Sequence, residues 1–142
     1  MQYVKQLDYF KNIREVREFE FGSFYFFDGL VISEINKGVF FQWKMAKKVV
    51  TAFKEFYGEE EPIAYISNRI HSYTVAPTDW LKFYNHRHEL AYYSVVGNTK
   101  GSLLSTLLEK MFFKVSLMQF NELDEAIVWS LEKLEANNST QP

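Results

Sequence analysis

Cysteine is absent from the 142 residues of this chain, which removes disulfides, thiolate metal sites and thiol catalysis together. Also missing is any basic cluster longer than Lys47-Lys48, and at a formal net charge of −2 the chain lacks the electrostatic drive on which nucleic-acid binding depends. No apolar run approaches the roughly 18 residues that a membrane-spanning helix needs. Lys5, Asp8, Lys11, Arg14 and Glu15 interrupt the first twenty residues, leaving no apolar stretch for a signal peptide, so the expected location is the cytoplasm.

What is present is an abundance of rings. Aromatic residues make up 18% of the chain, with 14 Phe and 9 Tyr, and most of them fall in strand or helix patterns, as core residues do. The length suits one domain, with roughly two thirds of the unfolded chain's surface buried on folding.

Periodicity gives the element order. Phe19, Phe21, Phe24, Tyr25, Phe26 and Phe27 run into Asp28-Gly29, and Leu30, Val31, Ile32 and Ile35 follow. An Asp-Gly pair between two β-rich runs predicts a hairpin, because both residues tolerate the positive φ of a type I′ turn. Over 43–57 the period changes: Trp43, Ala46, Val49, Val50, Phe53, Phe56 and Tyr57 share one face, lysines occupy the other, and Gly58 closes the helix. Strands are expected at 62–67, 90–96 and 115–120, and further helices at 78–87, 102–113 and 121–135. Asn121 is the expected cap of the last helix, with Asp124 and Glu125 in its first turn. Residues 1–15 show only an uncapped stripe of Tyr3, Leu7, Phe10 and Ile13, and Asn137 to Pro142 reads as a polar, disordered tail. The whole is an α/β domain over 16–136 in the order β-β-α-β-α-β-α-β-α, with a four- or five-stranded mixed sheet that starts at the Asp28-Gly29 hairpin and carries helices packed on it.

The segment 62–80 draws attention, since a strand there breaks into a polar loop before the next helix. Ligands and partners of α/β proteins gather outside the carboxyl ends of strands. The candidate binding residues are Ser67, Asn68, Arg69, His71, Ser72 and Tyr73. Arg69 is the one able to make directed bonds to a carboxylate, a phosphate or a backbone.

Other constellations are weaker. His86 and His88 point about 200° apart on a helix and cannot share a metal. Ser67, His71 and Asp79 supply the residue types of a nucleophilic triad without the strained Gly-x-Ser-x-Gly turn. The loop Gly97 to Ser102 could hold an anion at a helix start, but its Lys100 precedes the second glycine, unlike a Walker loop. No catalytic residue, metal ligand or cofactor motif is assigned.

Three stretches together resemble the small bacterial SpoIIAA-like, or STAS-like, proteins related to anti-sigma-factor antagonists. They are Tyr65-Ile66-Ser67-Asn68-Arg69-Ile70-His71-Ser72-Tyr73, Gly22-Ser23-Phe24-Tyr25-Phe26-Phe27 and Glu109-Lys110-Met111-Phe112; the likeness spans roughly 16–130. It implies a mixed-sheet α/β fold and a non-enzymatic regulatory role with a protein partner. In the antagonists a kinase phosphorylates the serine of an Asp-Ser pair. The corresponding region here reads Ser67-Asn68-Arg69, so Ser67 and Ser72 are the serines that the resemblance offers for phosphorylation. The wider group overlaps with SEC14-like lipid-binding domains, which implies an apolar small molecule as the alternative partner. A homodimer is left open.

Overall fold

The Asp28-Gly29 hairpin forms as expected and anchors the molecule. In a computed structural model that describes residues 2–59, 61–76, 79, 90–97 and 117–139, β2 (Gly22–Phe26) and β3 (Leu30–Ile35) pair antiparallel. The Phe27 N–H donates to the Leu30 carbonyl at 2.8 Å across the turn, and Gly29 sits at φ 69°, a left-handed conformation that favours glycine. The Tyr57 hydroxyl, at the end of helix α1 (Trp43–Tyr57), donates to the Phe27 carbonyl and, at 3.0 Å, to that of Leu30, tying the helix to the turn. Burial, with Glu61 and Asp28 nearby, pushes the Tyr57 hydroxyl pKa well up, so it stays a donor.

Among the described residues the main sheet has six strands, more than the sequence predicts. Its order is β1-β2-β3-β5-β7-β8, with β1 at Glu15–Phe19, β5 at Ala64–Asn68, β7 at Tyr92–Val96 and β8 at Leu117–Phe120. The first three strands are antiparallel, and β3, β5, β7 and β8 run parallel. The additional strand is β1, which extends the expected order at the sheet's edge. Its pattern alternates half-buried Glu15, Arg17 and Phe19 with exposed Val16 and Glu18, so an edge strand that buries no complete face carries little apolar signal. A short parallel pair, β4 (Phe40–Phe41) with β6 (Thr74–Val75), forms a second sheet.

Both faces of the main sheet are covered. Leu30 and Ile32 of β3, with Tyr25, Phe27, Ala64, Ile66 and Val96, pack under Val4 and Leu7 and under Leu123, Ala126 and Ile127 of helix α2 (Leu123–Ser139). On the other face Phe24, Phe26, Val31 and Ile35 meet Val49, Ala52 and Phe53 of α1. β3 is consequently buried at every position, as Leu30, Val31, Ile32 and Ile35 suggest, with Ser33 and Glu34 as its polar members.

Residues 2–15 form two 3-10 turns, Val4–Gln6 and Asp8–Asn12, in place of a helical stripe, with Val4 and Leu7 buried. Helix α2 starts one residue later than an Asn121 cap requires, keeps Asp124 and Glu125 in its first turn, and continues through Asn137 to Ser139, where the sequence suggests a disordered tail. Apart from Asp79, the expected helices at 78–87 and 102–113 lie outside the described residues, as do His86, Arg87, His88, and Asn98 to Ser102.

Candidate functional site

Strand β5 ends at Asn68 in the middle of the parallel part of the sheet, and the segment beyond it folds back on itself. Ser67, 0% exposed, shares a 2.9 Å hydrogen bond with the Tyr73 hydroxyl. Arg69, 5% exposed, donates from Nη2 to the Tyr73 carbonyl at 2.8 Å and lays its guanidinium 4.0 Å from the centroid of the Tyr73 ring. Asn68 is buried too; its Nδ2 donates to the Gln2 carbonyl at 3.0 Å and to Glu34 Oε2 at 2.9 Å, while its Oδ1 meets no hydrogen-bond partner among the described residues. Of the six residues singled out from the sequence, these three therefore face inward. Ser72 is exposed, and His71 and Tyr73 are half-buried.

The loop is also tied from outside. The Ser72 carbonyl accepts from the Gly38 N–H at 2.8 Å, and Thr74 and Ala76 donate to the carbonyls of Val39 and Phe41. Asp79 accepts from the Trp43 N–H at 2.8 Å, at the N-terminus of α1, where a carboxylate is favoured by the helix dipole and satisfies an open amide. Ser67, His71 and Asp79 are thus engaged with three different partners, namely Tyr73, Tyr3 and Trp43, and no triad is assembled.

Beside the loop opens a cleft of about 390 Å³, one that the sequence reading does not anticipate. Its floor is Glu34 and Tyr25, both buried, and its rim includes Tyr3, Lys5, Ser23 and His71. Glu34 Oε2 accepts two hydrogen bonds, from the buried Val4 N–H at 2.7 Å and from Asn68. Tyr25 lies beside the carboxyl in the same lining. Burial pushes the Glu34 carboxyl above its ordinary value, against the pull of those bonds and of His71; burial and the Glu34 charge likewise raise Tyr25. Across the rim the Tyr3 hydroxyl and His71 Nε2 stand 3.3 Å apart, with ring centroids 5.8 Å apart.

Glu34 had a signal in the sequence. Leu30, Ile32 and Glu34 share one face of a strand with no polar face, so a carboxylate in that register has to be buried and served by donors. The 3-10 turn that delivers Val4 and Tyr3 had none. Among the described residues no group of three or more His, Asp or Glu is placed to hold a metal ion, and no helix is long and apolar enough to cross a membrane.

No family model and no curated protein matches the chain. Among solved structures, an uncharacterised protein of the DUF3478 family with a SpoIIAA-like fold, from Shewanella loihica PV-4, superposes with a TM-score of 0.52 at 13% identity, over 83% of this chain and 91% of that one. At that identity the likeness concerns the fold. The mixed six-stranded sheet, antiparallel at one side and parallel at the other with helices against both faces, is a SpoIIAA-like fold.

Proposed function

We propose that the chain is a non-enzymatic binding and regulatory module of STAS-like type, and that it docks a regulatory protein through the loop 67–77. The observation that carries this reading is the self-braced loop. Arg69 and Ser67 hold Tyr73 from below, so His71, Ser72 and the outer edge of Tyr73 are presented in a fixed arrangement, and binding loses little conformational entropy. Ser67, Asn68 and Arg69 take part as the frame of that surface. Of the two serines, Ser72 is the phosphoacceptor in this reading, because it is exposed while Ser67 is buried against Tyr73. The alternative reading is an apolar or lipid-like small molecule; the described cleft offers it the rings of Tyr3 and Tyr25 but also the charged ends of Lys5 and Glu34.

The test is capture of a partner from host lysate by tagged protein, followed by titration with wild type, His71→Ala and Ser72→Glu. Affinity is expected to fall by about 1–3 kcal/mol for each variant with unfolding temperatures unchanged. A partner held equally by all three proteins would remove the loop from the reading.

A further inference from the structure

Glu34 is an unusual group to find on a core strand. It is 6% exposed, and its hydrogen bonds come from a backbone amide and a side-chain amide. Both donors are neutral. Among the described residues the ion pairs are Lys11 with Asp8, Arg14 with Asp28, and Arg17 with Glu15 and Glu55; none reaches Glu34. A buried carboxylate held by neutral dipoles, with only the His71 imidazole across the cleft to balance its charge, has room for a counter-ion.

The place for one is next to it. Glu34 and Tyr25 form the floor of the 390 Å³ cleft, a volume within the range of small-molecule sites, roughly 300–1,000 Å³. Tyr3 and His71 add rings at the rim. Tyrosine faces attract cations and the C–H groups polarised by an ammonium nitrogen, while a carboxylate at the floor fixes where the positive charge sits. The one fixed positive charge in the lining, Lys5, is exposed and free to swing into water.

We propose that this cleft binds a small organic monocation of the ammonium class, with Glu34 as its counter-ion and Tyr3 and Tyr25 as its ring walls. This goes beyond the docking reading and does not depend on it. The purified chain alone is sufficient to test it, so a failure here leaves partner docking untouched.

The probes are n-butylammonium and tetramethylammonium chlorides, with 1-butanol as the neutral counterpart, titrated at constant ionic strength and followed by backbone amide NMR. At least one ammonium ion is expected to give saturable shifts centred on Val4, Tyr25, Glu34 and His71 at millimolar concentration or below, with 1-butanol about tenfold weaker or more. Glu34→Gln keeps an oxygen for the Val4 and Asn68 donors, and is expected to lower ammonium affinity about tenfold. Tyr3→Leu, at a rim position 41% exposed, should lower it about threefold. Saturation by neither ammonium ion, equal binding of alcohol and ammonium, or unchanged affinity in both variants would overturn the proposal. Should Glu34→Gln fail to fold, the comparison of ammonium with alcohol and the Tyr3→Leu titration decide it.

Discussion

Arg69→Ala is the substitution that separates a brace from a recognition residue. In the folded chain Nη2 of Arg69 donates to the Tyr73 carbonyl at 2.8 Å, and the guanidinium lies 4.0 Å from the Tyr73 ring centroid. A hydrogen bond from a charged donor contributes about 1.5–3 kcal/mol, and a desolvated cation–π contact about 2 kcal/mol. Against these stands the relief of no longer burying a guanidinium, 5% exposed here, which offsets part of the loss. The net expectation is a destabilisation of about 2–4 kcal/mol. For a domain of this size that corresponds to an unfolding temperature lower by about 6–15 °C. Calorimetry paired with urea denaturation measures it, and Arg69→Lys should fall between the two, since an ammonium keeps the charge but not the planar stack. A change within about 0.5 kcal/mol, as for an exposed loop side chain, would refute the bracing argument.

Gly22→Ala should destabilise the chain by about 2–4 kcal/mol in urea denaturation, because its Cβ would lie 2.7 Å from the Glu34 carbonyl oxygen and 2.8 Å from the Ile35 Cα, both backbone atoms of β3; a loss below about 1 kcal/mol would mean that the strands part easily. For Glu34 the folded chain holds the proton more tightly than the unfolded chain, since burial raises the carboxyl above its ordinary 4.5. Its contribution to stability is then fully present below that value and is lost as pH rises through the folded-state pKa. Glu34→Gln should therefore gain on the wild type across that rise, read as the difference in urea midpoints from about pH 4 to about pH 8, and parallel curves would contradict the burial assigned to Glu34.

The parts of the fold that were legible are those in which one pattern dominates. Helix α1 runs from Trp43 to Tyr57 and ends at Gly58, as its 3.6-residue stripe and closing glycine predict, and the Asp28-Gly29 turn carries its own stereochemistry. β1 was hidden because Glu15, Arg17 and Glu18 occupy most of a strand whose partner lies on one side only, and because its turn, Glu20-Phe21, has no residue with turn preference between Phe19 and Gly22. Two-residue strands such as β4 and β6 are too short for any period. The site shows the same division. A polar loop after β5 was readable from the break in the apolar run, yet burial of Ser67, Asn68 and Arg69 was not, because it arises from Tyr73 curling back and from the N-terminal turn reaching across the sheet.

That turn gives the two sites a shared foundation. Asn68 is bonded on one side to the Gln2 carbonyl and to Glu34, the floor of the cleft, and is followed directly by Arg69, the brace of the loop. His71 belongs to the loop by sequence and to the cleft rim by its contact with Tyr3. A charge bound at Glu34 would lie one or two hydrogen bonds from the groups that fix the loop. If ammonium binding strengthens docking of a protein at the loop by some factor, docking must strengthen ammonium binding by that same factor, because coupling between two binding sites is reciprocal. Titrating n-butylammonium with and without a captured partner measures this coupling, and a factor of one would show that the two sites are independent.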